Sequence, residues 1–357
     1  MKLKAGVSLI PAVSFLLVPW CSKASDMDSV RAPEIAVRSD RFWINTKPLS
    51  IKEHKGKVVL IDIWDYTCVN CIRTLSYIKT WYERYTGAGL VIIGVHSPEF
   101  EFARERINVE DAVRRFNIKY PIVMDNDYLI WTSYVNMYWP RKYLIDKDGY
   151  IRYDHIGEGG YEETERKIQE LLHQINPTLE FPDPVQDTTS RNARGKICHP
   201  MTSELYLGYQ RGRIGNSEGY RVNRIVDYAE PEKLVDGFIY ARGAWHNRAE
   251  AMVHARSTSE PEDYVAITYH ALEVNAVIKP ETGESYRVWI RQQGDWVKPE
   301  DAGADIGFTS DGRSFLEITE PRMYHIISNA RYGSYELKLS SASPGFGIYA
   351  FTFGACK

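Results

Sequence analysis

Between residues 34 and 176 the apolar positions alternate between two periods. Residues 57–64 (KVVLIDIW) form an almost continuous apolar run rich in β-branched side chains, the pattern of a strand covered on both faces. Residues 69–86 continue with helical spacing, residues 90–96 read as a second buried strand, and residues 99–116 as a charged amphipathic helix. Residues 121–124 predict a short strand, and Asp125 or a neighbour opens a helix to about Asn136. Residues 142–146 and 151–156 flank the turn Lys147-Asp148-Gly149 as a hairpin. A last helix over residues 161–175 gathers Ile168, Leu171, Leu172 and Ile175 on one face. This βαβ order predicts a mainly parallel sheet closed by an antiparallel hairpin.

The texture then changes. Residues 177–187 hold three prolines and little periodicity, so residues 177–197 are expected to act as a stiff linker. From Cys198 onward short alternating segments follow, at 238–241, 251–255, 264–269, 273–278, 286–291, 315–318, 323–327, 335–339 and 347–353. Turn residues separate them and no helix interrupts them, which predicts a β-sandwich of the jelly-roll kind over residues 198–357. The expected fold is an α/β domain over residues 30–176 followed by an all-β jelly-roll sandwich, and 357 residues suffice for two cores.

The amino terminus is expected to lie outside both domains. Lys2 and Lys4 precede an apolar stretch from Ala5 to Trp20, and Ser22-Lys23-Ala24 supplies small residues for cleavage after residue 24. With Pro11 and Pro19 inside it, this run is shorter than the ~18–20 residues a spanning helix needs. Residues 1–24 therefore read as a Sec-type signal peptide, and the periplasm or cell envelope as the location. The rival is a lipid anchor at Cys21, where bulky Trp20 stands in place of a small residue.

Charge and composition narrow the function classes. A charged fraction of 25% and a hydrophobic fraction of 44% exclude a disordered chain. The formal charge of −3 becomes −6 once residues 1–24 and their three lysines are removed, which argues against nucleic acid as a partner. Beyond Cys21, four cysteines remain: a tight pair, Cys68 and Cys71, and two distant single residues, Cys198 and Cys356. An oxidising compartment permits disulfides, so these thiols are read first as redox or cross-linking groups.

Cys68-Val69-Asn70-Cys71 sits where a buried strand ends and a helix begins. At a helix N-terminus a thiol meets free N–H groups and the positive end of the dipole, so Cys68 is expected to be acidified and attacking, with Cys71 deeper and resolving. A zinc half-site and a permanently oxidised structural disulfide are the bland alternatives. The expected metal is none, since no second Cys pair or His pair at ligand spacing accompanies the motif. Asp62 lies in the apolar strand, where burial would raise its pKa towards the range in which it could take the Cys71 proton. A hydrogen-bonded structural acid is the alternative. Pro140 after Trp139 could be cis, setting the Trp139 backbone beside the cysteines for substrate. Trp64 is expected to cap the site as an apolar wall, or else to be a core residue.

The segment Trp64-Asp65-Tyr66-Thr67-Cys68-Val69-Asn70-Cys71 resembles the active-site stretch of the thioredoxin superfamily. Within it the chain is most similar to TlpA/ResA-like proteins, and in detail to the exported C-terminal part of DipZ-type proteins, through Arg73-Thr74-Leu75 after the motif. Gly94-Val95-His96-Ser97-Pro98-Glu99-Phe100, Tyr138-Trp139-Pro140 and, in the second half, Pro321-Arg322-Met323-Tyr324 match in order. The resemblance implies a thioredoxin-like first domain and a second domain resembling carbohydrate-binding modules. It implies Cys68 and Cys71 as the redox pair, Asp62 as the buried acid and Pro140 as the cis-proline. It implies no cofactor beyond the Cys68–Cys71 disulfide, protein disulfides as substrates, and a CcdA- or DsbD-like membrane protein as electron donor. DipZ-type proteins carry a membrane domain that this chain does not show, and many ResA-like proteins have an acid where Thr74 stands.

For the second domain, Trp245, Trp289 and Trp296 are candidates for a sugar platform, with a glycan or an envelope protein as its partner. Alternation sets Trp289 on the face of Arg287 and Arg291, and the alternative is a rim tryptophan covered by arginine stems. Cys198 opens this domain and Cys356 nearly closes it, so a disulfide between them is geometrically plausible, against two free buried thiols. The function expected is an exported thiol–disulfide oxidoreductase working as a reductant. Alternatives are a redoxin-type thiol peroxidase, disfavoured by Asp65 three residues before Cys68, and a glycan-binding envelope protein with a structural CxxC.

Overall fold

A computed structural model describes residues 30–188 and 196–356. The expected leader and Cys21 lie outside the described residues.

The first domain is built on β1 (Trp43–Ile44), β2 (Val58–Trp64), β3 (Leu90–His96), β4 (Ile122–Met124), β5 (Arg141–Ile145) and β6 (Ile151–Ile156), in the order β1-β4-β3-β2-β5-β6. β2, β3 and β4 run parallel, while β5 and β6 return antiparallel as the hairpin. Every residue of β2 is buried, which is what its unbroken apolar run requires of a central strand. Helices α1 (Val69–Tyr85) and α4 (Tyr161–Ile175) carry apolar stripes, including Leu75, Ile78 and Trp81 on α1, that close one side of the sheet.

Two predicted helices come out shorter. Residues 99–116 break at Glu105, whose extended backbone separates a 3-10 turn (Glu101–Arg104) from α2 (Arg106–Arg115). The cause is the other domain: Phe100 and Phe102 turn their rings onto Tyr349, with centroids 5.4 and 4.8 Å apart. The helix expected to reach Asn136 is only α3 (Leu129–Ser133), bounded by left-handed residues Tyr128 and Val135. Asp125 takes the N–H groups of Ile130 and Trp131 at its start.

The second domain is all-β and antiparallel, an 11-stranded array consistent with a sandwich. Four segments expected as separate strands merge into two long ones, Tyr264–Pro280 and Arg322–Ser340. They pair along most of their length, with register shifts between Ala271 and Glu273 and between Val274 and Asn275. Such bulges interrupt alternation, which is why the pattern looks like two strands. Tyr264–Pro280 pairs with Tyr240–Asn247 at one end and with Phe346–Gly354 at the other, so the array folds back onto itself. Short strands at Leu205–Tyr206, Ile225–Tyr228, Asp295–Trp296 and Ile306–Phe308 were not legible in the sequence. Cys198 and Cys356 form a disulfide that ties the start of the domain to its end.

The two domains share a core. Ala251, Val253, Val277, Tyr349 and Ala350 belong to the same apolar cluster as Trp64, Leu75, Phe100 and Phe102. Arg73 bridges Glu158 of the first domain and Glu273 of the second at 3.2 and 2.8 Å. The linker is likewise anchored: Phe181 and Val185 pack on the first core, and the Val185 N–H donates to Glu165 at 2.7 Å.

Candidate active site

Strand β2 delivers the chain to the site and α1 carries it away. Cys68 is the N-cap of α1, its sulfur accepting the Cys71 N–H at 3.3 Å. The two sulfurs stand 2.6 Å apart, with Cys71 buried and Cys68 partly accessible. The expected acidification of Cys68 is not what its surroundings give. Burial pushes the Cys68 thiol up, as do the carboxylates of Glu99 and Asp65, while the hydrogen bonds from Cys71 act in the opposite sense. Burial raises Cys71 well above the ordinary range, as expected for the deeper thiol. Glu99→Gln is therefore expected to shift the pH midpoint of Cys68 alkylation by iodoacetamide downwards. An unchanged midpoint would show that Glu99 does not act on the thiol.

Asp62 is 1% exposed, with its Oδ1 lacking a hydrogen-bond partner, and Lys142 interacts electrostatically with both Asp62 and Cys71. Burial raises the Asp62 pKa from 3.8 to about 6, against the pull of Lys142. Lys142 is its register partner on β5, itself fully buried and lowered by burial to about 8. Lys142 carries no local signal in the sequence, because only the β2–β5 pairing brings the two together. Burial alone would raise Asp65, but His96 and Thr67 hold it below the ordinary carboxylate value. Asp65 accepts the N–H of Thr67 at 2.6 Å and that of Glu99 at 3.0 Å, fixing the turn before Cys68 and the start of the 99–105 segment.

The Trp139–Pro140 peptide is cis. Trp139 donates its indole N–H to the Ser97 carbonyl at 3.0 Å, and lines the same cavity as Cys68. Trp64 is a correction. It is fully buried, packed against His96, because β2 is covered on both faces, so it cannot form a wall against substrate. The sugar platform is corrected as well. Trp245 is fully buried and so drops out, while Trp289 and Trp296 are half-buried, with Arg313 and Arg291 over their rings at 4.8 and 4.1 Å.

Above Cys68 lies a cavity of about 500 Å³ that both domains line, with Asn70, Glu99 and Trp139 from one and Met201, Glu204 and Arg211 from the other. Glu99 accepts from Arg211 at 2.9 Å, and the Tyr206 hydroxyl lies at hydrogen-bond distance from both Glu99 (2.9 Å) and Glu204 (2.6 Å), with one proton for the two. Burial and mutual repulsion raise Glu99 above the ordinary carboxylate range. Glu99 carries no sequence signal beyond its place in the matched stretch 94–100, and its role depends on residues more than a hundred positions away.

Comparison with known proteins agrees with this architecture. Residues 30–154 match the AhpC/TSA family and residues 202–354 the thioredoxin-like C-terminal domain family. DipZ of Mycobacterium tuberculosis is 33% identical over 321 residues, covering 87% of this chain. The chain spans about two fifths of that relative's length (41%). The thiol–disulfide oxidoreductase ResA of Bacillus cereus is 29% identical over 168 residues, 46% of this chain and 90% of its own. Among solved structures, a thiol:disulfide interchange protein DsbE from Chlorobium tepidum aligns at 19% identity with a TM-score of 0.36, over 40% of this chain and 96% of its own.

Proposed function

We propose that the chain, whose residues 30–154 match the AhpC/TSA family and residues 202–354 the thioredoxin-like C-terminal domain family, is a thiol–disulfide oxidoreductase that reduces disulfides in protein substrates. The observation that carries this reading is the pair of sulfurs 2.6 Å apart at the head of α1, in a domain that also buries the Asp62 carboxyl with its Oδ1 unpartnered. Cys68, the accessible sulfur, attacks the substrate disulfide, and Cys71 resolves the mixed disulfide. Asp62, as carboxylate, takes the Cys71 proton, and Lys142 keeps that carboxylate ionisable in an apolar setting. Trp139 and Pro140 present the backbone beside which the substrate lies.

The setting belongs to the same proposal. Residues 1–24 act as a leader that sends the chain to the cell envelope, and a CcdA- or DsbD-like membrane protein supplies electrons. No helix among the described residues is long and apolar enough to cross a membrane.

Cys71→Ser tests the order of attack. With the resolving thiol gone, a mixed disulfide through Cys68 is expected to accumulate and to be visible as a reductant-sensitive adduct in mass spectrometry. Adducts on Cys71 in a Cys68→Ser variant, and none on Cys68, would reverse the assignment.

A further inference from the structure

The second domain forms one wall of the reactive cavity. Met201, Glu204 and Phe353 line the same space of about 500 Å³ as Cys68, Asn70 and Trp139. This wall is fastened. Its first segment begins just after Cys198 and its second ends just before Cys356, so one disulfide holds both. Thr202 donates its N–H to His270 at 3.1 Å and its hydroxyl to Asp236 at 2.8 Å, and the Tyr332 hydroxyl donates to the Pro200 carbonyl at 2.6 Å. Swinging the wall aside would expose the apolar cluster that the domains share and break the Arg211–Glu99 pair.

Size and charge then limit what reaches Cys68. A space of this volume lies within the range of roughly 300–1,000 Å³ that encloses a small ligand, enough for one extended chain and too little for a globular surface. Two carboxylates, Glu99 and Glu204, lie at hydrogen-bond distance from one tyrosine hydroxyl, which has a single proton to give. Arg211 donates to Glu99, so a cationic side chain entering the cavity would meet Glu204, the carboxyl that Arg211 does not hydrogen-bond.

We propose that this interdomain cleft is the substrate site, and that it takes a disulfide carried on an extended polypeptide segment with a basic residue beside the cysteine, excluding disulfides within folded domains. This rests on the oxidoreductase reading above. The Cys68 thiolate attacks one substrate sulfur, the substrate S–S bond breaks, and the departing thiolate takes a proton from solvent. The Cys71 thiolate then displaces the substrate, leaving the Cys68–Cys71 disulfide and two substrate thiols. Two electrons have passed to the substrate, and an external dithiol restores them.

The test uses the full chain with dithiothreitol as that dithiol, and compares kcat/KM on three probes. Two are unstructured peptide disulfides, identical except for Lys or Glu beside the cysteine. The third is a folded protein with a solvent-exposed disulfide. The Lys peptide is expected to exceed the Glu peptide by about tenfold, as like-charge contact predicts, and the folded protein to be slowest by far. Glu204→Gln is expected to narrow the Lys/Glu ratio, and Met201→Ala to speed the folded substrate. Equal rates on folded and extended probes, or a Glu peptide as fast as the Lys peptide, would overturn the proposal. Reoxidation of the dithiol by hydroxyethyl disulfide separates the two claims. If it proceeds, only the cleft proposal has failed; if the pair never cycles, the oxidoreductase reading has failed with it.

Discussion

Asp62→Asn is expected to slow turnover about a hundredfold near neutral pH, the lower end of what a positioned acid–base group contributes. The same change is expected to stabilise the fold. A carboxyl raised from 3.8 to about 6 by burial costs the folded state about 3 kcal/mol at neutral pH, because folding then opposes its ionisation. The sign follows directly. Below pH 3.8 the group is protonated in both states and nothing is lost. The penalty accrues as pH rises towards about 6 and is complete above it, so the variant gains most at neutral pH and nothing in acid. Catalysis has the same window. The wild-type resolution rate should rise through about pH 6 as the carboxylate forms, and the variant should lose that limb and speed up only as Cys71 itself ionises in alkali. Stopped-flow resolution against pH, with denaturant unfolding at pH 4 and 7.5, reads both effects. A slower variant that is also less stable would mean that Asp62 is a structural acid.

Removing the Cys198–Cys356 disulfide should produce the largest loss of stability. It joins residues 158 apart in sequence, and the loop-entropy account assigns such a closure up to about 5 kcal/mol. For a domain of this size that lowers the unfolding midpoint by roughly 10–20 °C. Calorimetry of the Cys198→Ala, Cys356→Ala variant checks it, and a shift within a degree or two would contradict it. The variant should still form the Cys68–Cys71 disulfide, since that pair is built entirely by β2 and α1.

What the sequence disclosed follows what is local. The buried run of β2, the N-terminus of α1 and the Cys-x-x-Cys between them are contiguous, so strand, helix and thiol pair could be read together. A carboxyl inside an apolar strand was visible as an anomaly for the same reason. Lys142 was not, because it meets Asp62 only through strand pairing. The raised Cys68 thiol escaped notice because Glu99 and the burial come from a domain interface. The same interface broke the helix expected over residues 99–116, drawing Phe100 and Phe102 onto Tyr349. In the second domain, alternation located most strands but was blind to bulges, so the two longest were each read as a pair. Alternation sets Trp289 on an exposed face, but an arginine distant in sequence, Arg313, lies over its ring and leaves it half-buried.

The proposed chemistry requires a reversible dithiol at Cys68 and Cys71. Equilibrating the full chain with defined thiol–disulfide buffers, then alkylating and weighing the peptide that holds both cysteines, measures its reduction potential separately from the state of the Cys198–Cys356 bond. A two-electron equilibrium is expected, with a potential below about −200 mV, in the range of thiol reductants. A potential near about −120 mV would make the protein an oxidant. A pair that forms no reversible disulfide would contradict the account at its centre.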